Sequence, residues 1–386
     1  MRPAQNHEEN AGNPGQFSHF RSGRPVLRGA QAVAPTGGGT NRSERIETRG
    51  REELAREGAP LFRAGRAPIL PFVRAGGPDP RGASGGSLGQ TRGTGTMIEA
   101  WLDRLPGPAS GWAITPLAGL TNRSFLLERG AERLVLRLPG PGTARYIDRR
   151  AELHNHRIAA ELGLAPEILL ADPECLVTRY LDGAQPLQPE DFAVSATVEA
   201  VGRLLGRLHR SGRHFRGRMD LFPKIDQYLT LAGPAAENAL KDLRAAAEPA
   251  RLALEASPVA WVPSHIDPSP ANFLRRGDAL FLIDWEYSAM CEPAWDLAGV
   301  AIEARLDAAQ RRRLLSAYGA GEDAPPRARV ELFRALLHLV AASWAAAQVP
   351  AAEDADSYRE LARGYTERAW PLIEGAEFAE LVRAIA

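Results

Sequence analysis

Lysine is almost missing from this chain. Lys224 and Lys241 stand alone, so 45 of the 47 basic residues are arginine. That bias reads as the base composition of a gene, and it leaves arginine to serve wherever a cation is needed. Cysteine is as scarce. Cys175 and Cys291 are the only two, too few for a disulfide framework or a zinc site. Long apolar runs are also lacking. Residues 1–30 hold no apolar core of a secretory signal. The two longest stretches free of Asp, Glu, Lys and Arg are Leu105–Asn122 and Ala335–Ala352. Prolines 106, 108 and 116 break the first. The second ends short of the roughly 20 apolar residues of a membrane span. A cytoplasmic protein without a membrane partner is the expectation.

What is present is unevenly spread. The 386 residues suffice for two or three packed units, with 44% hydrophobic and 24% charged residues, as in soluble globular proteins. Residues 1–96 carry 14 Arg against 8 acids, so the zero net charge divides into +6 there and −6 in the remainder. Glycine and proline make up 27 of those 96 residues but 40 of the other 290. Such a segment buries too little apolar surface to offset the entropy of ordering it. Residues 1–96 are therefore expected to be disordered, with the folded part starting near Met97.

The texture changes from Ile98. Trp112–Leu117, Ser124–Glu128 and Arg133–Leu138 read as strands, the last two joined by a turn at Arg129–Glu132. Ile147–Leu162 has helical periodicity through Leu153, Ile158, Ala159 and Leu162. Glu167–Leu170 and Cys175–Tyr180 complete a five-stranded lobe over 97–182. Residues 183–386 read as mainly helical: Val198–His209, Ala235–Glu255, Asp296–Arg305, Ala308–Tyr318 with Asp307 as N-cap, Arg327–Gln348 and Asp354–Trp370. A pair of short strands flanks Ser264–Phe273. The fold class is α+β and bilobal, a small antiparallel sheet followed by a helical lobe.

The chemistry concentrates in His265-Ile266-Asp267-Pro268-Ser269-Pro270-Ala271-Asn272, where a carboxylate precedes a carboxamide by five residues. A turn and a strand later comes Asp284, in Leu282-Ile283-Asp284-Trp285-Glu286-Tyr287. Phosphoryl transfer to a hydroxyl uses this set: one Asp for the hydroxyl proton, Asn and a second Asp for Mg²⁺ on the ATP phosphates. Two Asx turns beside a hairpin are the structural alternative. The first lobe supplies a cation on its third strand, Arg137, and a partner on its helix, Glu152. An arginine fork can clasp phosphate bidentately. Ala118–Asn122 can turn tightly against phosphate.

Gly119-Leu120-Thr121-Asn122, Leu134–Gly140, Tyr146–Glu152, His265–Asn272, Ile283–Ser288 and Pro293–Ala298 together resemble the choline/ethanolamine kinase family, a branch of the aminoglycoside-phosphotransferase-like, protein-kinase-like fold. The resemblance runs over about 110–372. It implies Asp267 as the base, Asn272 and Asp284 as metal ligands, and Glu286 as a further carboxylate near the metal. It implies nucleotide contacts from Thr121, Asn122, Arg137, Glu152 and Tyr180, and support of the loop by His265 and Asp296. It implies Glu303 and Trp344 at the substrate's cationic head. The family often carries two Trp three residues apart on a late helix; here Ala341 aligns with Trp344's partner. Ile266 stands where relatives commonly have Asn.

The implied activity is ATP- and Mg²⁺-dependent phosphorylation of an amino alcohol, choline or ethanolamine, with thiamine or another alcohol as alternative. A kinase-shaped binding protein without catalysis is a rival, and intact Asp267, Asn272 and Asp284 oppose it. Nucleic-acid binding through the basic tail is opposed by the −6 of the folded part. Monomer and homodimer both stay open. His154 and His156 are expected on a solvated helix face, Trp285 in the core, Arg311–Arg313 on a solvated face, and His209 and His214 without a partner motif.

Overall fold

Strand β1 (Ala113–Leu117), β2 (Asn122–Arg129) and β3 (Glu132–Pro139) begin the first lobe. In β3, Leu134, Leu136 and Leu138 are buried, while Arg133 and Arg137 point the other way, the period-two alternation of a half-buried strand. Gly130, at φ 60°, supplies the left-handed residue that the two-residue turn between β2 and β3 needs. Helix α1 (Arg149–Glu161) starts at Asp148, whose carboxylate caps the amides of Arg150 and Ala151. β4 (Ile168–Asp172) and β5 (Cys175–Arg179) complete an antiparallel sheet of order β1-β2-β3-β5-β4.

The computed structural model describes residues 98 and 100–386, apart from 106, 109, 118–121, 141, 320–325 and 353. The disorder expected for residues 1–96 and the role expected for Thr121 lie outside the described residues.

The second lobe contains a short strand β6 (Gln185–Pro186), then α2 (Ser195–His209), α3 (Leu221–Ala232), α4 (Pro234–Ala246) and α5 (Glu248–Ala256). After β7 (Val262–Ser264), β8 (Phe273–Arg276), β9 (Ala279–Leu282) and β10 (Ala289–Cys291) come α6 (Pro293–Glu303), α7 (Ala308–Tyr318), α8 (Arg327–Gln348), α9 (Ala355–Ile373) and α10 (Ala376–Ile385). Helix α8 is long and apolar enough to cross a membrane by length and composition, but 94% of that apolar window is buried by the rest of the fold. It is the spine of the helical core.

Two expectations need correction. Ala235–Glu255 is two helices broken at Ala247, because Pro249 has no amide proton to continue the first helix and is tolerated only in the first turn of the second. The short strands expected on either side of 264–273 are β7 and β8. β7 pairs with β10, while β8 pairs with β6 and β9. His156 and Asn155 are not on a solvated face but buried: His156 bonds the Pro166 carbonyl, and Asn155 bonds Ser288 and the backbone of Arg216. Burial, then the Arg137 charge, lowers the His156 pKa to about 3.

Candidate active site

The loop between β7 and β8 is held from beneath by one carboxylate. Asp296, in the first turn of α6, accepts from the amides of His265 and Ile266, both at 2.8 Å. His209 Nε2 donates to it at 3.0 Å, which leaves Nδ1 to accept from the Tyr318 hydroxyl at 3.1 Å. Burial pushes the Asp296 pKa up, but the His209 bond and charge, with those of His265, hold it below the ordinary value. This grip holds Ile266 at φ 75°, an uncommon conformation for a β-branched residue. The Trp295 indole also donates to the Ile266 carbonyl at 2.9 Å.

Asp267 and Asn272 face each other across the loop. Asn272 Nδ2 donates to Asp267 Oδ2 and to its backbone carbonyl, both at 2.9 Å. Asp267 Oδ1 and Asn272 Oδ1 are buried with no hydrogen-bond partner. A buried acceptor without a donor is costly unless something binds it. Burial, then the charges of Asp284, Glu303 and Glu286, raises the Asp267 pKa well above the carboxylate range. His265 Nε2 donates to the carbonyl of Ile283, just before Asp284, at 2.9 Å. Asp284 itself sits at φ 64°.

Above this loop lies a chain of alternating charges. Arg137 on β3 pairs with Asp284 at 2.6 Å and with Glu152 on α1. Glu152 also takes Arg149 at 2.8 Å, and Arg149 reaches Glu286 at 3.0 Å. Asn122, the first residue of β2, donates to Glu286 at 2.8 Å and accepts from Arg149 at 2.9 Å. Burial first, then Asp284, raises the Glu286 pKa. The structure thus brings together Asp267, Asn272, Asp284, Glu286, Arg137, Glu152, Asn122, His265 and Asp296. Tyr180, just past the end of β5, is half-buried, its ring 4.3 Å from the Arg133 guanidinium.

Glu303 closes α6, buried, and its charge reaches Asp267 and Tyr365. Trp344 on α8 packs against Tyr358 with ring centroids 5.8 Å apart and lies beside Tyr287. Tyr287 stacks on Tyr146 at 6.3 Å and 15°. Ala341 is fully enclosed, so the aromatic surface is built from tyrosines on other elements. Trp285 is in the core as expected, edge-on to His265 at 4.7 Å. Arg312 and Arg313 are exposed, while Arg311 is half-buried against Glu331. His214 is exposed.

Sequence reasoning missed Arg149, His209, Tyr146, Tyr287 and Tyr358. Arg149 and Tyr287 lie inside segments singled out as motifs, but nothing local says what they touch. His209 ends a helix whose partners lie 87 and 109 residues away. A separate cavity of about 480 Å³, lined in part by Phe222, Trp261 and Phe333, shares no residue with this cluster.

Residues 113–333 match the phosphotransferase enzyme family. The chain is 31% identical over 215 residues to protein LicA of Haemophilus influenzae, spanning 52% of this chain and 61% of that protein, so it matches less than two thirds of that relative's length. It is 33% identical over 208 residues to thiamine kinase of Escherichia coli O157:H7, 52% of this chain and 69% of that one. Among solved structures, a choline/ethanolamine kinase family protein from Mesorhizobium loti aligns with a TM-score of 0.64 at 34% identity, over 75% of this chain and 98% of that one. Choline kinase LicA from Streptococcus pneumoniae shares the fold at a TM-score of 0.65 and 23% identity, over 75% and 99%. The family match begins at β1, takes in the whole loop cluster and ends within α8; the chain belongs to the phosphotransferase enzyme family.

Proposed function

We propose that this chain transfers the γ-phosphoryl group of ATP to the hydroxyl of a small cationic alcohol, choline or ethanolamine. The observation that carries this is the pair of buried, unpartnered oxygens, Asp267 Oδ1 and Asn272 Oδ1, within the field of Asp284. Asp267 Oδ1 suits an incoming O–H. Asn272 Oδ1 and Asp284 offer the hard oxygen donors that Mg²⁺ takes, and these two residues would hold it. When bound, the ion neutralises charge on the ATP phosphates. Asp267 orients the hydroxyl and accepts its proton as phosphorus is attacked. Its raised proton affinity makes the ionised form a stronger base. Arg137, released from Asp284, supplies a fork to phosphate oxygens.

The acceptor's positive charge is read from Glu303 and from the aromatic surface of Tyr146, Tyr287, Trp344 and Tyr358. A carboxylate and aromatic faces are the two parts of an ammonium site. Likeness to the choline/ethanolamine kinase family protein supports an amino alcohol. Thiamine, also a cationic alcohol, is the second reading, supported by the likeness to thiamine kinase.

ADP formation with choline, ethanolamine, thiamine and an aminoglycoside distinguishes these readings. Turnover is expected with an amino alcohol and Mg·ATP. Absence of ADP with every alcohol would defeat the proposal, and turnover with thiamine alone would transfer it to the second reading. Glu303→Ala should raise KM for a cationic acceptor and leave KM for ATP unchanged. An unchanged acceptor KM would remove Glu303 from the substrate site.

A further inference from the structure

We propose that Arg149 is a positioning residue, a pin that sets Asn122, at the start of β2, against the second lobe through Glu286. This rests on the kinase reading above. The Arg149 guanidinium is nearly buried and meets four oxygens: Glu152 Oε2 at 2.8 Å, Glu286 Oε2 at 3.0 Å, Asn122 Oδ1 at 2.9 Å and Thr143 Oγ1 at 2.9 Å. Those four oxygens come from α1, the 284–286 segment, β2 and the connection before α1. Asn122 Nδ2 closes the ring by donating to Glu286 Oε2 at 2.8 Å.

Among the described residues, charged ties join the first lobe to residues 284–286 from Arg137 to Asp284 and from Arg149 to Glu286. They share Glu152, which pairs with both arginines. The first tie is given up if Asp284 serves a divalent cation. The second then keeps the lobes in register while nucleotide is bound. Glu286 belongs to this pin through Oε2, which accepts from both Arg149 and Asn122. Arginine is required because a planar fork reaches several acceptors at once, which a lysine ammonium on a single stem does not.

The test is binding of Mg²⁺ with a non-hydrolysable ATP analogue, together with both KM values, for wild type, Arg149→Met, Glu286→Gln and the double variant. Arg149→Met is expected to weaken nucleotide binding about 10- to 100-fold, the range found when groups supporting a site are removed. Acceptor KM should change far less. Glu286→Gln should add little in the Arg149→Met background, because the two residues act as one unit. Additive effects, or equal losses for nucleotide and acceptor, would overturn the pin. If Arg149→Met does not fold, Arg149→Lys replaces it, and an affinity equal to wild type would overturn the proposal. Failure of wild type itself to bind nucleotide would instead defeat the kinase reading.

Discussion

Asp267 and Asp296 are both buried aspartates at one loop, and their surroundings push them in opposite directions. Burial raises the pKa of each. Asp296 is answered by two amides and a histidine, and ends below its ordinary value. Asp267 is answered by Asn272 alone, faces the charges of Asp284, Glu303 and Glu286, and ends well above it. A satisfied buried carboxylate is a brace; a crowded one with an unpartnered oxygen is poised for proton chemistry. The same difference separates the supporting floor of the site from its working face.

The largest effect that can break this comparison is on stability. Asp296→Asn loses the charge that pairs with His209 and one of the two oxygens that hold the loop amides. Breaking a buried pair by removing one partner costs about 3–5 kcal/mol. A fall of that size in unfolding free energy in denaturant is expected. Asp267→Asn, which relieves a crowd of like charges, should leave stability unchanged or raise it. A change below about 1 kcal/mol for Asp296→Asn would show that the brace carries little.

A smaller effect concerns pH. Burial, then neighbouring arginines, lowers the pKa of His156 to about 3 and of His338 to about 4. Both values lie below that of an unfolded histidine, so the unfolded chain takes up protons first as pH falls. Their contribution is whole above about pH 6.5 and is lost through the acid range, by about 2 kcal/mol each between pH 6.5 and 5. Asp296, with its lowered pKa, adds a loss in the same direction at lower pH still. Asp267 works oppositely, favouring the fold in acid. Denaturation midpoints at pH 7 and 5 should show the fall, and His156→Gln should remove about half of the histidine part. An identical pH slope in that variant would show that His156 is not held neutral.

Much of the fold can be read from local pattern. The alternation of Leu134, Leu136 and Leu138 marks β3, and the apolar run of α8 marks the spine of the core. Helix α3 escaped because Pro223 in its first turn makes the segment look like a linker, although proline is tolerated there. The site divides the same way. Asp267, Asn272 and Asp284 lie within one short stretch, so their spacing exposes them. Arg149 finds its partners 27 and 137 residues away, at Asn122 and Glu286. Nothing in the residues around it discloses them. The tyrosines beside Trp344 escaped for that reason as well: the expected second Trp position, Ala341, is enclosed, and the aromatic faces come from separate elements.

The most direct test of the central claim is the turnover number of Asp267→Asn with Mg·ATP and an amino alcohol, measured with its nucleotide affinity and its denaturation midpoint. An amide cannot accept the hydroxyl proton. The predicted result is a loss in kcat of about 10²- to 10⁴-fold, with nucleotide affinity unchanged and a midpoint equal to or above that of wild type. A variant that keeps a large part of kcat, or one that loses stability as Asp296→Asn does, would contradict the account.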